Sequence, residues 1–255
     1  MRQQHQRRQP QPAAAKTPDP AAEGIVAEIR QRLRAAANPR AAQEWRRTLG
    51  EDVPCHGVPA QQAHGIAMDF VRRMRTNGLG IAIDVADPLW RGGVLEEGLV
   101  ADEIVNAQGR HVGGGEFDRF DAWMENVTNV VNADGLATHL VSRAVAAKPS
   151  LVARLRDWAK SNNRFRRRAA VMSFTPMARE GRFLTDALGV AETVIADPDE
   201  DVQAGVGMLL LEAARLQPDR VVEFLKRVKD RVPPNVMRIA TSKMQPAHVR
   251  ALQGA

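Results

Sequence analysis

The chain has 255 residues, 44% hydrophobic and 26% charged, with a net charge of +6 and a single cysteine. That length can bury a sizeable core, in one large domain or two small ones, and the lone Cys55 excludes an internal disulfide and fits a reducing compartment. No apolar run is long enough to cross a bilayer, and the basic N-terminus has no apolar segment behind it, so the chain reads as cytoplasmic, without a membrane partner.

Charge is unevenly placed. Residues 84–121 hold nine acids against Arg91, Arg110 and Arg119, whereas residues 150–182 hold nine basic residues against Asp157 and Glu180. A basic C-terminal half points toward a polyanionic partner, although charge by itself does not separate DNA, RNA and acidic protein.

Residues 1–22 are Gln, Pro, Ala and Arg with almost no large apolar side chain, too little to offset the entropy of ordering, and are expected to be a disordered basic tail. The folded domain is expected over 23–246, followed by a short tail over 247–255. Ile25, Ile29 and Leu33 give the first apolar helical stripe. Asn38-Pro39 is an N-cap followed by proline at the first helical position, starting a short helix that ends near Gly50. The turn Val53–Pro59 leads into a helix to about Arg75 with Ile66, Phe70 and Met74 facing inward. Further helices are expected at roughly 79–91, 93–107, 117–132, 135–146, 149–160, 163–175, 180–196, 200–215, 218–230 and 234–243. Gly113-Gly114-Gly115 lacks the strand and spacing of a phosphate loop and reads as a flexible connection.

No segment alternates with period two between turn signals, so the fold class is all-α. Residues 165–172 and 202–209 repeat one apolar pattern 37 positions apart, each behind a polar lead-in. A period near this length with two helices per unit is the signature of HEAT-like solenoids. The expectation is an α-solenoid of about six antiparallel helix pairs with a concave basic face.

Arg164, Arg166, Arg167 and Arg168 crowd the start of one helix. Phe165, Ala169 and Met172 form its buried stripe, with Arg164, Arg167 and Arg168 on one flank and Arg166 pointing elsewhere. Guanidiniums this close repel, so an anion must offset them: counter-ions from solvent, or phosphates, whose oxygens match the arginine fork. Catalytic signatures are otherwise sparse. Cys55, His56 and His64 lack a fourth ligand for zinc, and no Walker loop or nucleophile elbow is present. With no tyrosine and only 4% aromatic residues, a binder that stacks single-stranded bases is disfavoured.

Several segments carry a more specific pattern. Gly57-Val58-Pro59 precedes a helix, and Ala86-Asp87-Pro88-Leu89-Trp90 is followed by an acid at Glu96 or Glu97. Asn129 to Leu140 reads Asn-Val-Val-Asn-Ala-Asp-Gly-Leu-Ala-Thr-His-Leu. Trp158, Ser161, Asn163, Phe165, Arg167, Arg168, Ala169 and Ala170 form a second block. Gly207 to Glu212, with Pro218, Val221, Phe224 and Leu225, forms a third. In this order they resemble the AlkD-type DNA alkylation repair family, alkylpurine DNA glycosylases built from HEAT-like repeats, over most of residues 23–245.

The resemblance implies duplex DNA held in a concave basic groove by a monomer without cofactor or metal. It implies hydrolysis of the N-glycosidic bond of cationic alkylated purines, such as 3-methyladenine and 7-methylguanine, without base flipping. A bacterial location would be nucleoid-associated. The family's catalytic carboxylate falls at Asp134 and its cleft arginine at Arg168, a carboxylate being suited to stabilise an oxocarbenium-like sugar. Lys160, Arg164, Arg167 and Arg168 are the expected DNA-binding residues. The chain departs from the pattern at the cleft: Val130 and Met208 stand where the family carries tryptophans, and Phe165 takes a third aromatic position. These three equally suit a helical core, and Asp134 before Gly135 equally suits a helix cap. Two alternatives stand beside the enzyme: a catalytically silent member recognising damaged or branched DNA, and a protein-binding HEAT scaffold with an acidic partner.

Overall fold

The computed structural model describes residues 20–253, and among these residues every regular element is helical. The helices are α1 (Pro20–Ala35), α2 (Pro39–Leu49), α3 (Ala60–Arg73), α4 (Gly78–Arg91), α5 (Leu95–Asn106), α6 (Phe117–Met124), α7 (Val130–Gly135), α8 (Ser142–Ala147), α9 (Val152–Trp158), α10 (Arg164–Met172), α11 (Thr175–Arg179), α12 (Leu184–Thr193), α13 (Glu200–Ala214), α14 (Pro218–Arg227), α15 (Pro234–Thr241) and α16 (Pro246–Gln253). A π-helical stretch, Leu136–Val141, joins α7 to α8 without a break.

Two layers emerge from the packing. In one, α3 lies on α5, α5 on α7, α7 on α10, α10 on α13 and α13 on α15. In the other, α1 meets α4, α4 meets α6, and α9 meets α12. A continuous apolar core runs between them from Ala22 and Ile29 to Val236 and Ala240. Each helix buries one stripe that it cannot cover alone, so repetition supplies the core and the result is an α-solenoid. The repeat is legible in its caps: Asn129, Asn163 and Asp199 each accept backbone N–H bonds at the head of α7, α10 and α13. On α13, an added Cβ at Gly207 would stand 2.7 Å from Ile239 Cβ, so glycine is what lets α15 pack closely there.

The all-α expectation holds, with several boundaries moved. The helix expected over 117–132 stops at Met124, because the chain turns between layers and restarts behind the Asn129 cap. The following helix therefore begins at Val130, five residues earlier than its expected start. The helix expected from 180 begins at Leu184, after Gly181 and Phe183 adopt positive φ. The segment expected as one helix over 163–175 bends after Met172. Gly113–Gly115, expected to be flexible, leads into a short turn in which Glu116 accepts the Gly113 N–H at 2.8 Å. At the N-terminus α1 starts at Pro20 and buries Ala22, so these residues of the expected tail are helical, while residues 1–19 lie outside the described residues. Residues expected to form a C-terminal tail include α16, which packs on α14.

Candidate nucleic-acid interface

The arginine run opens α10, whose cap Asn163 accepts from the N–H groups of Phe165 and Arg166 at 2.9 and 3.3 Å. Each guanidinium in the run already has a carboxylate from the chain itself. Arg164 reaches Asp199 at 3.3 Å and Asp201 at 2.9 Å. Arg166 crosses to Asp121 at 2.7 Å and Glu125 at 2.8 Å, and lies over the Trp158 ring. Arg167 donates from Nε and Nη2 to the two oxygens of Asp197 at 2.7 and 3.0 Å, and this hydrogen bonding raises its already high pKa. The offsetting anions are therefore aspartates and a glutamate. Part of the reason is local: Asp197 and Asp199 also tie the turn before α13, accepting from backbone N–H groups of Asp199, Asp201 and Val202.

Arg168 departs furthest from the expected exposed flank. Its side chain is only 5% exposed, whereas that of Asp134 is 28% exposed. Nε and Nη2 donate to Asp134 Oδ1 and Oδ2 at 2.7 and 2.6 Å, and Nη1 donates to the Asp201 carbonyl. Gly205 makes room for this path, since an added Cβ there would lie 3.2 Å from Arg168 Cγ. With the fork committed on both edges, Arg168 fixes the position of Asp134 and has little donor capacity left for another anion. Asp134 accepts one of these bonds on each oxygen and is itself partly open.

The remaining expected residues surround this pair unevenly. Met208 is 38% exposed, and its sulfur lies 3.8 Å from Arg168 Nη2. Val130, the first residue of α7, is half-buried. Phe165 is half-buried beneath the Arg164 guanidinium, 4.5 Å from ring centroid to Cζ, in a cation–π contact. Lys160 is exposed and has no ion-pair partner among the described residues. The tryptophans are structural: Trp90 stacks on Trp123, Trp123 and Trp158 donate to Asp87 and Asp121, and Trp45 donates to the Val58 carbonyl at 2.8 Å.

Sequence reasoning passes over the acids that hold the run. Their signal is present in the repeat itself, because Asp199 occupies in α13 the capping place that Asn163 occupies in α10. Two further acidic clasps act on α5. Glu96 is fully buried and accepts from the backbone N–H groups of His56, Gly57 and Val58 at 2.8, 2.9 and 2.9 Å. Glu97 is buried, which alone would raise its pKa, but hydrogen bonds from His56 and Arg30 hold it below the ordinary value. Further along α5, Asp102 Oδ2 lies 2.5 Å from His139 Nδ1 in the π-helical stretch, and this hydrogen bond raises the histidine pKa.

Stacked helix pairs with a carboxylate–guanidinium pair between two repeats define a helical-repeat protein. The family profile for "DNA alkylation repair enzyme" matches residues 29–244, and the chain belongs to that family. Among solved structures it is similar to one from Enterococcus faecalis described as a predicted DNA alkylation repair enzyme, with TM-score 0.71 and 15% identity over 82% of this chain and 97% of that one. That likeness shows the shared fold. No curated protein matches the sequence. Among the described residues no helix is long and apolar enough to cross a membrane, and no cluster of three or more His, Cys, Asp or Glu side chains is placed to hold a metal ion.

Proposed function

We propose that the chain binds duplex DNA and acts on cationic alkylated purines, with Asp134 as the carboxylate that stabilises positive charge on the sugar as the base departs. The observation that carries this reading is Asp134 itself, partly open and gripped on both oxygens by buried Arg168. A carboxylate held this way is a fixed negative charge, which lowers a barrier most when it needs no reorganisation as charge develops. Arg168 is a positioning residue in this scheme. Phosphate contacts would fall to Lys160 and to Arg164, whose ion pairs are exposed enough for phosphate to compete. DNA would lie in a groove along the series α3, α5, α7, α10 and α13, held by a single copy of the chain without a cofactor.

A release assay on methylated duplex tests the catalytic part. The full chain should free 3-methyladenine or 7-methylguanine faster than Asp134→Asn, with far-UV circular dichroism showing both proteins equally helical. Equal release from the two would sink the enzyme reading. One observation favours a second reading: Val130 and Met208 cannot present an indole face to a cationic sugar. In that reading the protein holds damaged or branched duplex without cleaving it, and preferential binding without base release would be its outcome.

A further inference from the structure

A helix that contributes little to the core carries several unpaired cations. α2 buries only Ala41, and an isolated helix of its length is marginal in water. Even so, it is fastened at several points. Asn38 caps it by accepting the Arg40 N–H at 2.8 Å, and Pro39 occupies its first turn. Gly57, at φ +80°, lies so close that an added Cβ would stand 2.7 Å from Ala42 Cβ and 2.9 Å from the Asn38 carbonyl. Trp45 donates to the Val58 carbonyl. By helical geometry Ala41, Ala42, Trp45 and Leu49 share the inward stripe, Arg40 and Arg47 fall opposite, and Arg46 lies on the flank. Arg40, Arg46 and Arg47 are exposed, as is Arg34 near the end of α1, and none has an ion-pair partner among the described residues.

A chain of hydrogen bonds places this helix on the edge that leads to Asp134. The loop under α2 is clasped by Glu96 at the head of α5, and Leu95 donates its N–H to the Pro54 carbonyl. Just before α5, the Gly93 carbonyl accepts from Thr128 Oγ1 at 2.9 Å, and Thr128 adjoins the cap of α7. The heads of α3, α5 and α7 therefore lie in series, with α2 at one end and the Asp134–Arg168 pair at the other.

We infer that α2 is a phosphate-gripping arm: Arg40, Arg46 and Arg47 engage the backbone of a duplex at a distance from the Asp134 site. This rests on the duplex-binding reading above and adds where the non-specific grip lies. Three unpaired guanidiniums release counter-ions on meeting phosphate, whereas a paired arginine must first give up its carboxylate.

The test is a salt titration of full-length chain binding to an unmodified duplex of mixed sequence. Arg40→Gln/Arg46→Gln/Arg47→Gln should lower the slope of log affinity against log salt by about two to three, near 0.9 for each phosphate no longer neutralised. A second triple, Arg220→Gln/Lys226→Gln/Arg250→Gln on exposed positions of α14 and α16, removes the same charge elsewhere and should change the slope less. An unchanged slope in the α2 triple, or an equal drop in both triples, overturns the arm. Failure of the unaltered chain to bind at all overturns the duplex reading itself. Loss of binding to polyglutamate alone, with duplex binding intact, would assign α2 to an acidic protein partner and also overturn the inference.

Discussion

The arginines of α10 and those of α2 look alike in sequence and differ in whether the chain supplies their counter-charge. On α10, Arg164, Arg166, Arg167 and Arg168 are tied to acids from neighbouring turns and helices, and the last is buried. On α2, Arg40, Arg46 and Arg47 stand in solvent. The first set is mortar between repeats, because each bond spans 30 or more positions of chain and joins one unit to the next. The second set holds nothing together. Local charge density therefore does not identify a ligand-binding surface; what matters is whether the fold has already supplied the counter-charge.

The largest effect is expected at Asp134. Asp134→Ala leaves the Arg168 guanidinium buried without its carboxylate, and should cost about 3 kcal/mol of unfolding free energy, the low end for a broken buried pair because Asp134 is partly open. Urea denaturation would read this directly. A cost below about 0.5 kcal/mol, the range of ordinary surface substitutions, would mean that the pair is not part of the mortar.

Gly57→Ala should come next and act only on the other region. A side chain there meets both a positive φ and the backbone of α2, so about 1–3 kcal/mol of strain is expected. The specific readout is hydrogen exchange: amides of residues 39–49 should lose protection while those of α10 and α13 keep theirs. Uniform loss across the chain would show that α2 is not a separately detachable element.

Arg167 and Asp197 offer an intermediate case, both half-buried or better and bonded twice. A double-mutant cycle to alanine should give a coupling of about 1–2 kcal/mol, above the value of exposed pairs. Coupling near zero would place Arg167 with the free arginines of α2.

His139 and Asp102 sharpen the picture through pH. The hydrogen bond raises the histidine pKa, so the pair contributes its full stability below the ordinary histidine value of about 6.5 and loses it as pH rises through the folded value. Asp102 and Glu103 from α5 face the ring, as does Arg143 from α8, which opposes the shift. His139→Gln should therefore destabilise the chain more at about pH 5.5 than at about pH 8.5. A difference that grows toward high pH would reverse the assignment.

How much of this is legible in the sequence depends on the range of the interaction. Helices are readable because the periodicity of Ile66, Phe70 and Met74, or the Asn38-Pro39 start, is written within a few residues. The Asp134–Arg168 pairing is reached through resemblance, not spacing, since nothing local says that residues 34 positions apart will meet. Burial of Arg168 is invisible in the sequence because it depends on Gly205 in the next repeat leaving space for its stem. The exposed Met208 reads as core or cleft for a similar reason: an apolar run such as Val206–Leu211 has more apolar positions than the helix has inward faces.

The smallest expected effect completes the contrast. Arg46→Ala/Arg47→Ala removes two of the chain's cations without touching an ion pair or a buried atom, and alanine favours a helix at least as well as arginine. Unfolding free energy should stay within about 0.5 kcal/mol of the parent, or rise slightly as repulsion with Arg40 and Arg34 is relieved. Thermal melting at low and high salt separates those contributions: relief of repulsion fades as salt screens the charges, whereas helix propensity does not. A loss of more than about 1 kcal/mol, at any salt, would mean that these arginines are as structural as those of α10. Near-silence in stability, set against the large cost at Asp134, is what a surface reserved for an external anion should show.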